Sequence, residues 1–240
     1  MLFALLLAAV GVIAGAIAAV AGFGIGSLLT PTLGVETGTK LAVAAIAIPH
    51  FVGTALRFWM LRRYVDRRVL LGFGLASAAG GLAGALAHTR ASSRGLAIVF
   101  GALLIIAASS ELTGWIQHVR WGRRAAWVAG ALSGIFGGLV GNQGGIRSAA
   151  LLGFDVPKEA FVATATAIAL AVDFARMPVY LATQWRAIAA VWPLVLTATA
   201  AVVLGTVLGT RALRHLPQRT FRRIIAVLLL ALGIYMIAAG

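Results

Sequence analysis

This sequence predicts an all-α integral membrane protein built from two related halves, and three observations carry that expectation. The first is composition: 61% of the 240 residues are hydrophobic, 11% are charged, and the mean hydropathy is +1.00. Soluble domains run nearer ~45–50% apolar and ~25% charged. The second is the alternation of long apolar blocks with short charged connectors. The third is a glycine pattern that recurs without a gap 119 positions on: Gly11, Gly15, Gly22 and Gly26 fall on Gly130, Gly134, Gly141 and Gly145. The same offset carries Val43-Ala44 onto Val162-Ala163 and Arg57 onto Arg176.

Taken in order, the apolar blocks are 2–33, 41–61, 69–88, 95–112, 125–153, 160–183, 187–209 and 221–239, so each half (1–116 and 117–240) holds four. The first block lacks the basic start of a secretory signal and runs on through Gly22–Pro31, which makes it part of the fold. Blocks 1 and 5 are the long, glycine-interrupted ones. If every block crossed once, loop Lys and Arg would divide eight against nine and define no orientation. If blocks 1 and 5 are re-entrant hairpins, one side collects the 62–68, 120–124 and 211–223 connectors and Lys158. The other side keeps Lys40, Arg90, Arg94 and Arg186, so the division is thirteen against four. That is a positive-inside bias, and it predicts two inverted repeats with both termini outside. Non-helical backbone at membrane depth must be surrounded by protein or a watery cavity, so the re-entrant turns belong in the interior. Tyr64, Trp115, Trp121 and Trp185 sit at block ends, where interfacial anchoring explains them.

The formal net charge of +14 sits mostly in those connectors, as orientation signals do, which argues against a nucleic-acid partner. No cysteine is present, which excludes disulfides, thiolate metal sites and cysteine catalysis. No HExxH pair or Walker motif is present, and neither a cofactor nor a metal is expected. The oligomeric state has no signature in the sequence.

Chemistry-bearing residues cluster at two kinds of place. The turns read Gly22-Phe23-Gly24-Ile25-Gly26-Ser27 and Gly141-Asn142-Gln143-Gly144-Gly145-Ile146-Arg147. Glycine permits close backbone approach, and the N–H groups opening a following short helix are unpaired and partly positive, which suits an anion. Asn142 and Gln143 add amide donors and Arg147 a full charge. Gly11/Gly15 and Gly130/Gly134 read instead as small-xxx-small helix packing. On the second block His50, Thr54 and Arg57 share a helical face. The equivalent block places Thr166, Asp173 and Arg176 on one face, with Thr164 nearby, and the offset matches Thr54 to Asp173. Ionisable groups within spans are rare and face the interior. Competing readings are an Asp173–Arg176 structural pair, an Arg57 that snorkels toward Arg62, and a His50 ring that serves backbone freed by Pro49.

The glycine-rich repeat, Pro31-Thr32-Leu33 after the first turn, and the Ala-Val run opening the next span resemble the sulfite exporter TauE/SafE family of membrane permeases. Gly138-Leu139-Val140-Gly141-Asn142-Gln143-Gly144-Gly145, followed by Val162-Ala163-Thr164-Ala165-Thr166, carries the resemblance most closely. It implies a multi-pass permease in the cell membrane, a bacterial inner membrane, moving sulfite, a sulfonate or a related small anion. The expected substrate contacts are Gly24, Gly26, Thr54, Arg57, Gly141, Asn142, Gln143, Gly144, Gly145, Arg147, Thr164, Thr166 and Arg176. His50 and Asp173 are the expected proton-coupling groups. The extra amides at Asn142 and Gln143 depart from the family's glycine run. An anion channel, a membrane scaffold, and an intramembrane enzyme acting through His50 and Asp173 are the alternatives.

Overall fold

The computed structural model describes residues 1–114, 123–142, 144–151, 157–212 and 218–239, and every regular element among them is helical. Six stretches of helix among these residues are long and apolar enough to cross a bilayer: Leu2–Val20, Thr39–Tyr64, Arg67–Arg90, Ser93–Thr113, Glu159–Ala190 and Trp192–Gly209. Leu5, Ile13, Leu82, Ile98, Leu196 and Ile234 lie exposed on the outside, where lipid rather than water is their natural neighbour. The chain is a multi-pass all-α membrane protein.

The first apolar block resolves into a helix, a break and a returning helix. Helix α1 (Leu2–Ala21) stops at Gly22, which adopts φ 79° while its N–H closes on the Ala18 carbonyl at 3.0 Å. An L-residue in that left-handed conformation costs roughly 1–2 kcal/mol, which glycine escapes. Helix α2 (Ile25–Thr37) then folds back beside α1, with Gly24 against Ile17. It runs antiparallel to α3 (Thr39–Leu61): Ile25 packs near Gly53, while Gly34 faces Ala42. At 13 residues α2 spans about 20 Å, short of the ~30 Å hydrocarbon core, so it cannot cross alone.

A 3₁₀ turn at Arg62–Tyr64 leads into α4 (Arg67–Val69), a π turn at Leu70–Gly74, and α5 (Leu75–Arg90). Helix α6 (Ser93–Thr113) closes the described part of the first half. Helix α7 (Arg123–Val140) repeats the behaviour of α1, stopping at Gly141 with φ 75° and a 3.0 Å N–H bond to Gly137. Helix α8 (Gly144–Leu151) follows, and its last residue packs with Val69, Phe161 and Ala165. Helices α9 (Lys158–Ala190), α10 (Trp192–Ala212) and α11 (Gln218–Ala239) complete the chain.

Small residues bring the helices together. A methyl group on Gly11 or Gly15 of α1 would run into Ala201 or Val202 of α10. One on Gly134 or Gly138 of α7 would strike the backbone of Ser77 or Gly81 on α5. With lipid as solvent, such backbone approach supplies the dispersion contacts that hydrophobic burial supplies in water. Lys40 Nζ donates to the Thr89 and Ala91 carbonyls at 2.8 and 2.9 Å, placing the turns after α2 and α5 at one end of the bundle. At the other end, the Asp66 N–H donates to Thr164 Oγ1 at 2.9 Å.

Helices extend into several expected connectors, with α7 opening at Arg123 and α11 at Gln218, and two further differences change the reading of particular residues. The connector expected from His88 narrows to Ala91-Ser92, because α5 continues to Arg90 and His88 is fully buried. The sixth block does not end near 183: α9 runs 33 residues, about 50 Å, through Gln184-Trp185-Arg186. No glycine or proline lies between Pro178 and Pro193, so polar residues there ride on a helix longer than the bilayer is thick.

Candidate functional site

The two breaks meet each other inside the protein. A methyl on Gly26 would run into the Gly141 carbonyl, and one on Gly144 would run into the Phe23 side chain. Ser27 Oγ donates to Asn142 Oδ1 at 3.4 Å, and Arg147 Nη2 donates to the Gly22 carbonyl at 3.2 Å. Backbone of one half therefore lies directly against backbone of the other, which any residue larger than glycine at 26 would prevent.

Around these breaks sit three arginines, each almost wholly buried: Arg57 is 4% exposed, Arg147 2% and Arg176 2%. Arg57 Nη1 donates to the Ala18 carbonyl, and Arg176 Nη1 donates to the Gly137 carbonyl at 2.8 Å. Both donors and both acceptors are 119 positions apart, so the two halves make the same contact at the end of the same helix. Each of these carbonyls already accepts the N–H of its break glycine, so the guanidinium takes the oxygen's second lone pair at the negative end of the helix dipole. Further donors serve the end of α7: Tyr180 Oη reaches the Gly138 carbonyl, and His88 Nδ1 donates to the Leu139 carbonyl at 2.8 Å. A carbonyl only accepts, so the His88 proton sits on Nδ1.

One carboxylate lies among these cations. Asp173 is fully buried; its Oδ1 accepts from Arg176 Nε at 2.9 Å and Nη2 at 2.7 Å, and its Oδ2 lies 2.7 Å from His50 Nδ1. Thr54 Oγ1 stands 3.5 Å from the same ring nitrogen. Among the described residues, Arg57 Nε and Arg147 Nε and Nη1 are buried donors without a partner. A buried polar group left unpaired is costly, and an unpaired charged one more so. The arrangement can receive an anion through charge-assisted hydrogen bonds.

The expected site residues divide as follows. Gly24, Gly26, Gly141, Asn142, Gly144 and Arg147 lie at the breaks, and Gly145 opens α8 beside them. Thr54, Arg57, Arg176, His50 and Asp173 form the polar cluster on α3 and α9. Thr164 and Thr166 are not brought to it by any contact. Thr164 accepts from Asp66, and Thr166 Oγ1 donates to the Val162 carbonyl of its own helix at 2.8 Å. Gln143 lies outside the described residues. His50 turns to Asp173 rather than to backbone near Pro49, and Arg57 points inward rather than snorkelling. Tyr180, His88 and Ser27 join the site without having been expected. Tyr180 had a signal, since it lies one helical turn beyond Arg176 on the same face.

A helical bundle with six stretches able to cross a membrane, and a buried cationic cluster where the two breaks touch, fits the class of polytopic membrane permeases. A family model described as sulfite exporter TauE/SafE matches residues 7–236, and the chain belongs to that family, a transporter family. No curated protein and no solved structure matches the chain in the corresponding comparisons.

Proposed function

We propose that this protein is a secondary permease of the cell membrane, a bacterial inner membrane, that carries a small oxoanion (sulfite, a sulfonate or a related sulfur oxoanion) by alternating access. The two halves, 1–116 and 117–240, act as inverted repeats that rock about the site between them, driven by an ion gradient or by the substrate's own gradient. The observation that carries this reading is the set of buried guanidinium nitrogens without partners beside the two breaks. The matched contacts Arg57 to Ala18 and Arg176 to Gly137, and the return of α2 along α1, support the repeat arrangement.

The anion sits between the breaks, taking hydrogen bonds from Arg57, Arg147, the Asn142 and Gln143 amides and the N–H groups that open α2 and α8. Arg147 belongs to one half and bonds the Gly22 carbonyl of the other. An arriving anion competes for that guanidinium and loosens the tie between halves. Arg176 is held by Asp173, and protonating the carboxylate frees it for substrate, which couples transport to a proton. His50, on the other carboxylate oxygen, is the partner for that proton.

Purified protein in proteoliposomes, given radiolabelled sulfite, sulfate, thiosulfate and sulfonates, tests the proposal. Uptake of at least one, accelerated by the unlabelled anion inside, is the expected result. Flux without that acceleration identifies a channel, and no flux of any anion removes the transport reading.

A further inference from the structure

The charges buried at the breaks do not balance. Arg57, Arg147 and Arg176 keep their protons in proteins, and all three are at least nine-tenths buried. Against them stands Asp173, the one buried carboxylate among the described residues. Helix dipoles do not make up the difference. Each break brings a helix C-terminus, worth about −0.5 charge, up to a helix N-terminus worth about +0.5, and the two offset. Arg57 and Arg147 lie near enough to repel one another, and each leans on a neutral carbonyl, Ala18 or Gly22, instead of an acid. With His50 counted as neutral, the cluster therefore carries, among the described residues, an excess of two positive charges in a medium that punishes unpaired charge.

Resting on the permease reading above, we propose that the site is matched to an oxoanion of charge −2, such as sulfate, thiosulfate or fully ionised sulfite, rather than to a singly charged sulfonate. A dianion beside Arg57 and Arg147 brings the buried charge to zero, with Arg176 left to Asp173. A monoanion leaves one guanidinium uncompensated. Once Asp173 is protonated and Arg176 freed, the excess rises to three, so a dianion leaves one guanidinium uncompensated and a monoanion two.

The test is anion-dependent thermal stabilisation of the purified protein at constant ionic strength. Sulfate and thiosulfate are titrated against perchlorate, a tetrahedral anion with one charge fewer than sulfate, and against methanesulfonate. The dianions are expected to half-saturate at concentrations lower by about tenfold or more, a floor for one extra charge pair at a buried site. Arg147→Gln removes one positive charge and should weaken the dianions while bringing the two classes to within about threefold. Arg57→Gln makes the same comparison from the other half, should Arg147→Gln not fold. Equal or tighter binding of a monoanion by the unaltered protein overturns the charge match while leaving an anion permease standing. So does an unchanged ratio in a folded variant. A protein that responds to no anion at all refutes the permease reading and this inference with it.

Discussion

Replacing Asp173 with asparagine keeps the shape of the side chain and removes its charge, which isolates what the carboxylate does. Its oxygens accept from Arg176 at 2.9 and 2.7 Å and meet His50 at 2.7 Å. Hydrogen bonds to charged groups contribute roughly 1.5–3 kcal/mol each, and removing one partner of a buried ion pair costs about 3–5 kcal/mol. Asparagine retains an acceptor for Arg176 and offers an N–H to His50, whose tautomer can shift to accept it. The loss should therefore fall at the low end, about 3 kcal/mol, with Asp173→Ala nearer ~5 kcal/mol. For a chain of this length each kcal/mol moves the midpoint by roughly 2–4 °C, so Asp173→Asn should unfold about 6–12 °C early. Thermal unfolding followed by tryptophan fluorescence in detergent reads this directly. Adding Arg176→Met to Asp173→Asn removes the cation left behind, so the double variant should be more stable than the sum of the singles implies. A shift below about 2 °C, or strict additivity, would refute the view that Asp173 holds the cations of this site together. In proteoliposomes the same Asp173→Asn protein should transport with a weakened dependence on pH; an unaltered profile would make the pair structural only.

Gly22→Ala pays only for its backbone conformation, since nothing lies within 4 Å of the added methyl, and should cost about 1–2 kcal/mol. Gly134→Ala instead drives a methyl into Ser77 backbone and should reach or exceed ~3 kcal/mol, the upper end of ordinary overpacking; equal midpoints would contradict the packing described. Because the chain has no cysteine, single substitutions report topology: Arg63→Cys and Arg223→Cys should react with an impermeant thiol reagent from one side of the membrane, and Glu36→Cys from the other. Labelling of 63 and 223 from opposite sides would end the inverted-repeat arrangement. Gln143→Leu keeps bulk but deletes hydrogen bonds to a charged ligand, at about 1.5–3 kcal/mol each, so affinity should fall tens-fold; unchanged transport would return that turn to a packing role.

The breaks were legible in the sequence because a backbone φ near 75–79° selects glycine, and both turn glycines stand 119 positions apart. Arg57 and Arg176 were legible for a related reason: a charge inside an apolar span stands out, and the same offset carries one onto the other. What each arginine touches was not. Arg147 meets Gly22 across 125 positions, and no local period encodes a contact between halves. His88 looked like the start of a connector because Thr89-Arg90 follow it, yet the helix carries it inward to the end of α7. Thr166 shared a helical face with Asp173 and Thr164 lay near it in the sequence, but hydroxyls are satisfied by nearby backbone at little cost, and both are. The extent of α9 was hidden because a polar stretch that extends beyond the bilayer reads like a loop.

The permease proposal places an anion where the two breaks touch, between Arg57, Arg147 and Arg176. An experimental structure of the protein equilibrated with selenate, a heavier relative of sulfate, locates the ion by its anomalous scattering. A selenium peak is expected between Gly22–Gly26 and Gly141–Gly145, within hydrogen-bond reach of Arg147 and Arg57. Selenium found only against the connector arginines at 62–68 or 211–223, with the breaks still joined through Arg147 and Gly22, would contradict it.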